Sequence, residues 1–377
     1  MNLNRLLAMA GKEVIQIMRD ARSIAIVIAM PLVMMLAFGY GVSFDTKHIP
    51  MYAYDMEGSQ RSQDFLKRFQ SSVYFRVVKI VGNYGELVKA IDSGKCQIGI
   101  VIPHDFSSRL YSGETVSIQA IFDGTDSNSA NLGMSYSQAI VQSYARQIQM
   151  QWLQRQGYTN IQPAISVDSR TWFNESLESM STIVPGVVAL VMAVVGTFLT
   201  SLTIAREWER GTMEQLISTP VTPMEIMLGK LTPYIAIGLL DTCICAAVGV
   251  WWFGVPFRGH LWLFFLSSIM FLTVVLSMGY FFSVVAKAQL AASQISLIAT
   301  FLPSFLLSGF IFPIDQMPPV VQVITYIVPA RYYMEVLRNI FLKGASITLM
   351  WQNLLGLAIL TFLLAFVATR AFKKRLD

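Results

Sequence analysis

Long runs without charge constrain the fold of this chain more than any other feature. Five stretches of 22 to 27 residues contain no charged side chain, and a sixth, Leu231–Phe257, contains only Asp241. The five are Ser23–Phe44, Ser179–Ala205, Leu261–Ala286, Ala288–Ile314 and Ala345–Thr369. A helix needs about 20 mostly apolar residues to cross a bilayer. The sequence therefore predicts a polytopic α-helical membrane protein with six transmembrane helices.

Composition and charge exclude several other classes of protein. Hydrophobic residues make up 54% of the chain and charged residues 14%, against about 25% charged in soluble domains. Segment 45–178 is nearly neutral, with 12 basic and 13 acidic residues, so the net charge of +5 comes from the rest of the chain. A basic balance at membrane flanks indicates topology and not nucleic-acid binding. Three cysteines and three scattered histidines fit neither a disulfide framework nor a zinc site.

Basic residues at the ends of the runs predict the orientation in the membrane. They are Arg5, Lys12, Arg19, Arg22, Arg206, Arg210, Lys230, Lys287, Arg370, Lys373, Lys374 and Arg375. Because Lys and Arg are enriched on the cytoplasmic side, six spans with both termini in the cytoplasm are expected. Residues 1–22 carry apolar residues at helical spacing. This favours an amphipathic helix in the cytoplasmic membrane interface over a plain extension of the first span, 23–44.

Segment 45–178 then lies outside the cytoplasm, and its pattern predicts an α/β domain inserted between helices 1 and 2. The predicted strands are Pro50–Tyr54, Tyr74–Val81, Gln97–Ile102, Val116–Phe122 and Ile165–Thr171. The predicted helices are Gln60–Gln70, Gly85–Asp92, His104–Tyr111 and Ser127–Arg155. The domain has no recognisable catalytic set. Asp123 and Asp126 could bind a metal, but an N-cap at Asp126 or Ser127 is the better interpretation.

The connection after the second run combines charge with an apolar edge. Charged residues cluster between Arg206 and Glu214, and Met213, Leu216 and Ile217 follow helical spacing. We expect residues 206–218 to form a cytoplasmic coupling helix whose apolar edge contacts a partner, because these side chains would otherwise face water. The alternative is a solvated loop anchored at the interface by Trp208.

Several short motifs are distributed along the chain. They are Glu207–Leu216 (EWERGTMEQL), Ser308–Pro313 (SGFIFP), Met317-Pro318, Pro329–Tyr332 (PARY), Asp123–Asn131 (DGTDSNSAN) and Trp172–Asn174 (WFN). Together they resemble the ATP-binding-cassette type-2 export permeases, in the bacterial multidrug-efflux-like subgroup with a large periplasmic domain. The resemblance covers essentially the whole chain.

The resemblance implies two kinds of protein partner. One is a second permease subunit, identical or paralogous, and the other is a separate ATPase subunit. The residues implied to contact the ATPase are Arg206, Glu207, Glu209, Arg210, Gly211 and Glu214. The sequence has no Gly-x-x-x-x-Gly-Lys-Ser/Thr phosphate-binding loop. We therefore expect a non-enzymatic subunit with no catalytic residue, metal or cofactor of its own, and ATP bound by its partner.

Polar residues inside the apolar region are rare and informative. Asp241 could belong to a proton relay or a cation path, although a hydrogen bond to Ser or Thr of a neighbouring helix is favoured. Prolines interrupt segment 313–344, which predicts short re-entrant helices on the outer side and not a surface loop. Arg331 and Glu335 are expected to pair on one helix face. By resemblance, a lipophilic substrate path is assigned to spans two and five, at Met192, Phe198, Phe301 and Phe305.

These features predict a permease subunit whose residues 179–377 form a five-helix transmembrane domain. It would export hydrophobic or amphipathic compounds, drugs among them, from the bacterial inner membrane. Membrane lipid and a periplasmic adaptor are further candidate partners. The alternative is a membrane sensor whose outer domain binds a ligand, for which six spans are excessive. A polytopic membrane enzyme is disfavoured because no polar catalytic cluster is present.

Overall fold

Two compact units make up the chain. The computed structural model describes residues 2–41, 48–156, 172–173 and 178–371. One unit comprises Met1–Ser43 with Thr171–Asp377, and the other comprises Phe44–Arg170. We call them the helical unit and the α/β unit.

The described helices and strands are as follows. The helices are α1 (Leu3–Arg19), α2 (Ala21–Gly41), α3 (Gln60–Gln70), α4 (Tyr84–Asp92), α5 (Phe106–Ser112), α6 (Ser127–Arg155), α7 (Met180–Glu209), α8 (Thr212–Ile217), α9 (Pro223–Trp251), α10 (Leu261–Ala286), α11 (Gln289–Ser296), α12 (Leu302–Leu306), α13 (Pro319–Thr325), α14 (Pro329–Arg338) and α15 (Ile347–Ala371). The strands are β1 (Ile49–Asp55), β2 (Phe75–Val81), β3 (Ile98–Ile102) and β4 (Gln119–Phe122).

Five helices among the described residues are long and apolar enough to cross a membrane. They are α7, α9, α10, the continuous helical stretch Gln289–Leu306, and α15. Helix α2 contributes a shorter apolar stretch, Val27–Gly41, so the sixth span stays a prediction. A break at Asp20 (φ −97°, ψ 82°) separates α1 from α2. The N-terminal helix is therefore not an extension of the first predicted span.

The helix formed by the uncharged run Ala288–Ile314 is shorter than the sequence predicts. The helix that begins at Gln289 ends at Leu306, well before Ile314, and residues Leu297–Phe301 form a π-helical turn within it. The Ser308–Pro313 motif follows as a tight bend. Gly309 adopts φ +84° there, a conformation that favours glycine because it has no Cβ.

Segment 313–344 contains the short helices α13 and α14. The predicted pair between Arg331 and Glu335 is wrong. The Arg331 guanidinium instead donates to the Thr325 hydroxyl and lies 3.8 Å from the ring centre of Tyr326. Glu335 accepts from the side-chain amide of Asn339, at 3.4 Å. The Arg331 guanidinium thus contacts Thr325, at the end of α13, and Tyr326, which follows α13, instead of Glu335. Helical spacing alone does not reveal these contacts.

Helix α7 is the centre of the helical unit. In its most apolar 18-residue stretch, 89% of the residues are buried. They are buried because α2, α9, α10, α11 and α14 pack around α7. Small residues permit close approach: a Cβ on Gly279 of α10 would lie 2.5 Å from the carbonyl oxygen of Thr197. Small residues serve the same role at other interfaces between membrane helices. Helix α7 is thus surrounded by other helices of this chain in this conformation.

The α/β unit contains a mixed four-stranded sheet in the order β2-β1-β3-β4. Strand β1 is parallel to β2 and β3, and β4 is antiparallel to β3. Helices α3 and α6 have the bounds expected from sequence, whereas the predicted strand Ile165–Thr171 lies outside the described residues. Phe65, Phe69 and Phe106 form the buried aromatic core beside the sheet.

The Asp-Gly-Thr-Asp motif begins a helix in the α/β unit. The Asp126 carboxylate accepts hydrogen bonds from the backbone amides of Asn128 (3.1 Å) and Ser129 (3.4 Å), as expected for an N-cap. The Ser129 hydroxyl, and then these amides, lower the pKa of Asp126. Within the described residues, no group of three or more His, Cys, Asp or Glu could hold a metal ion.

Candidate functional site

The end of α7 carries the charged motif, and its geometry differs from the prediction. Helix α7 continues through Arg206 and Glu207 to Glu209, and Gly211 (φ +70°) then breaks the chain direction before the short helix α8. Residues 206–218 are therefore not one coupling helix. Positive φ carries little steric penalty at glycine, so Gly211 permits the break that separates the two helices.

A buried charge cluster joins α7 to α9 and α1. The Lys230 ammonium of α9 is 0% exposed, and it donates to the carboxylates of Glu207 and Glu13. The distance from Lys230 Nζ to Glu13 Oε2 is 3.4 Å. Glu13 of α1 is itself 0% exposed and Glu207 is 3% exposed. Three charged groups are thus held together at the meeting point of three helices.

Two further side chains complete this cluster. The Tyr234 hydroxyl donates to Glu13 Oε1 at 3.1 Å, and the partly exposed Lys12 ammonium lies 3.2 Å from Glu207 Oε1. The four ionisable groups, Lys12, Glu13, Glu207 and Lys230, balance to zero formal charge. This balance matters because a buried charge is tolerated only when it is paired and hydrogen-bonded.

The neighbouring residues of α7 tie the same helix end to other elements. Arg206 Nη1 lies 2.5 Å from Asp20 Oδ2, at the junction of α1 and α2. Glu209 accepts from the backbone amide of Gln289 at 2.7 Å, at the start of α11. The Lys287 ammonium lies 5.3 Å from the ring centre of Trp208. We refer to Arg206, Glu207 and Glu209 with their partners Lys12, Glu13, Asp20, Lys230, Tyr234 and Gln289 as the α7 hub.

The hub changes the roles expected for the predicted contact residues. The expected contact between Glu207 and the ATPase subunit is corrected by the structure. The Glu207 carboxylate is buried among partners of its own chain and is not available to another protein in this conformation. Arg210 and Glu214 remain exposed. Met213 (0% exposed) and Leu216 (8% exposed) pack into the core of the helical unit. The apolar edge of α8 therefore needs no partner to keep these two side chains from water.

Glu13, Lys230 and Tyr234 were missed as site residues by sequence reasoning. A usable signal was present, because Glu13 interrupts the otherwise apolar positions of α1 and Lys230 immediately precedes an apolar run. Two charges of opposite sign that lie at different membrane flanks are candidates for mutual pairing. Their distance of 217 positions in sequence hides the contact.

Helix α1 is fastened along the start of α9. The backbone amide of Asn2 donates to Glu225 Oε1 at 2.6 Å, and Arg5 donates to the carbonyl of Pro220, also at 2.6 Å. Gly229 permits the contact, since a Cβ there would lie 2.7 Å from Cβ of Met9. The side chains of Leu3, Leu7, Val14 and Met18 stay exposed. The placement of this apolar surface in the membrane interface stays a prediction.

The four residues assigned to a substrate path lie on α7 and on the helical stretch Gln289–Leu306. Met192 is 3% exposed, and its sulfur lies 3.0 Å from the hydroxyl oxygen of Thr242 and 3.2 Å from that of Tyr333. Phe301 and Phe305 stack on each other with ring centres 5.3 Å apart. Phe198 is half-buried elsewhere on α7. Met192 thus closes a contact between helices in this conformation, and the transport role of the four residues stays a prediction.

Comparisons with known proteins identify the family of this chain and several relatives. The model of the ABC-2 family transporter protein matches residues 22–370. The chain is 39% identical to the probable multidrug ABC transporter permease YbhS of Escherichia coli K12, covering 99% of this chain and 98% of that protein. It is 28% identical to the probable multidrug ABC transporter permease YbhR, covering 99% of each. Identity to the inner membrane transport permease YhhJ is 28%, covering 86% of this chain and 85% of that protein.

These relatives are named as permeases, which favours transport over the alternative of a membrane sensor. The family match spans nearly the whole chain, including both the helical unit and the α/β unit. Five membrane-length helices among the described residues agree with a multi-pass protein. The chain therefore belongs to the ABC-2 family of transporter proteins.

Proposed function

We propose that this chain is the permease subunit of an ATP-driven exporter that moves hydrophobic or amphipathic compounds, drugs among them, out of the cell. The multidrug names of YbhS and YbhR support this class of compound. A separate ATPase subunit binds ATP and supplies the energy. A second permease subunit, identical or paralogous, completes the assembly.

The α7 hub is the observation that carries this proposal. Chains of packed side chains and networks of hydrogen bonds and ion pairs carry energetic coupling through a protein. Here Glu207 connects α7 to α9 and α1 through Lys230, and Glu209 connects it to α11 through Gln289. A force applied at this end would therefore move several helices together.

The ATPase contact lies at the bend after α7, where Arg210 and Glu214 are exposed. Gly211 allows this bend to project from the helix end, and the buried Met213 anchors α8 to the helical unit. In this arrangement Arg210 and Glu214 bind the ATPase subunit, while buried Glu207 transmits the motion of the ATPase subunit to the other helices. Arg206 and Glu209 position the helix end.

The proposal includes a specific orientation. Six spans, with α2 as the first, place both termini and the α7 hub in the cytoplasm of a bacterial inner membrane. The α/β unit then lies on the outer side, where a periplasmic adaptor could reach it. The positive-inside rule supports this orientation.

Charge reversal at the bend tests the proposal. The variant Glu214→Lys is expected to lower both co-purification of the ATPase subunit and drug efflux at least several-fold, because it reverses an exposed charge at the contact. The matched control is Glu114→Lys, since Glu114 is also an exposed glutamate and lies in the α/β unit. Unchanged co-purification and efflux for Glu214→Lys would refute the contact.

A further inference from the structure

Asp241 is buried in the helical unit without a partner for one of its oxygens. The residue lies on α9 and is 4% exposed. Its Oδ1 atom is buried and makes no hydrogen bond. A small cavity of about 10 Å³ lies beside it, lined by α7, α9 and α10. This volume is at the lower limit for a single water molecule, and it is too small for a hydrated cation.

The polar groups next to Asp241 are engaged elsewhere. Thr242 donates to the carbonyl of Gly238 at 2.6 Å, and Tyr234 donates to Glu13. The cavity residues contributed by α7 and α10, among them Leu272 and Leu276, are apolar or glycine. No described residue therefore supplies a hydrogen-bond donor or a positive charge to this carboxyl group.

Titratable groups near Asp241 come from only one of the three helices that line the cavity. Helix α9 contributes Tyr234, at the cavity, and Cys245, a fully buried thiol one helical turn further along. The lining residues of α7 and α10 include no titratable side chain. An ionised carboxylate in such surroundings would lack both solvation and a counter-charge, and the protein would favour the neutral acid.

We infer that Asp241 is a proton-binding site and that its carboxyl group is protonated while α7, α9 and α10 are packed as described. Ionisation requires that these helices separate enough for water to reach the carboxylate. The packed arrangement therefore holds a proton that the opened arrangement releases. It follows that packing is favoured at low pH and is weakened as the pH rises. This inference does not depend on the identity of the transported compound.

Infrared spectroscopy of the full-length protein in lipid tests the protonation directly. The difference between the wild type and Asp241→Asn at about pH 7 is expected to contain the carbonyl band of a protonated carboxylic acid. The control is Asp315→Asn, which makes the same change at an exposed position and is expected to alter only carboxylate bands. A carboxylate difference for Asp241→Asn as well would overturn the inference.

The native thiol of Cys245 provides a second readout. In a chain with Cys96→Ser and Cys243→Ser, labelling of Cys245 by a membrane-permeant maleimide reports separation of the helices. Dividing the wild-type rate by the Asp241→Asn rate removes the thiol's own pH dependence. The ratio is expected to rise with pH, by at most about tenfold per pH unit for one proton. A ratio that stays constant between about pH 6 and pH 9 would contradict proton-linked packing.

Discussion

Replacement of Lys230 by Met should separate the contribution of the α7 hub from that of ordinary packing. The side chain keeps its length and apolar stem but loses the ammonium group. Glu13 and Glu207 would then remain buried, at 0% and 3% exposed, without their shared counter-charge. Removing one partner from a buried ion pair destabilises proteins by about 3–5 kcal/mol.

The remaining contacts limit the loss but do not abolish it. Tyr234 still donates to Glu13, and Lys12 still lies beside Glu207. We therefore expect roughly 3 kcal/mol, the lower end of that range. For a domain of about 250 residues, this corresponds to a decrease in unfolding temperature on the order of 10 °C. Export should fall while ATP hydrolysis by the partner continues, because the helix end is no longer connected to α9.

Thermal unfolding of the purified chain in lipid measures the first effect, and ATPase-coupled efflux measures the second. Lys79→Met is the matched control, since Lys79 pairs with Glu86 at an exposed site and its loss should leave the unfolding temperature unchanged. The combined variant Glu13→Leu, Glu207→Leu and Lys230→Met removes all three buried charges. It should be close to wild type in stability. A triple variant that is destabilised by the sum of its single changes would refute the reasoning.

Two other predictions concern single contacts. Gly229→Ala should lower the unfolding temperature because the new methyl group meets Met9 at 2.7 Å, an overpacking cost of about 1–3 kcal/mol, whereas Gly11→Ala, with no atom within 4 Å, should not. Asp126→Ala should destabilise the α/β unit at neutral pH. Hydrogen bonds from Ser129 lower the pKa of Asp126, so its contribution is present above about pH 4 and declines as the pH falls further. The difference in stability between wild type and Asp126→Ala, measured from unfolding curves, should therefore be smaller at about pH 3 than at about pH 7.

Apolar periodicity and capping signals were sufficient to locate most of the helices. Uncharged runs of membrane length are unambiguous because a bilayer demands them, and α6 begins where Asp126 satisfies free backbone amides. The π-helical turn at Leu297–Phe301 and the early helix end at Leu306 were not predictable. They depend on packing against other helices, which leaves no periodic signal in an all-apolar run.

The candidate site was harder to predict because its contacts are long-range. The sequence motif pointed to the end of α7, but the family resemblance implied that Glu207 would contact the ATPase subunit. Its actual partner, Lys230, belongs to another helix. The favoured hydrogen bond from Asp241 to a neighbouring helix is also absent, since the residues that α7 and α10 place at the cavity beside Asp241 carry no hydroxyl group. Both outcomes depend on which side chains neighbouring helices direct toward Glu207 and Asp241. A single sequence does not show those directions.

We propose above that an ATPase on the cytoplasmic side drives this chain through the end of α7. Proteoliposomes containing the purified chain, with and without the purified ATPase subunit, test it most directly by simultaneous measurement of ATP hydrolysis and compound export. We expect that the chain alone neither hydrolyses ATP nor exports, that both activities appear when the ATPase subunit is added, and that Lys230→Met loses export while hydrolysis persists. ATP hydrolysis by the chain alone, or full export by Lys230→Met, would refute this mechanism.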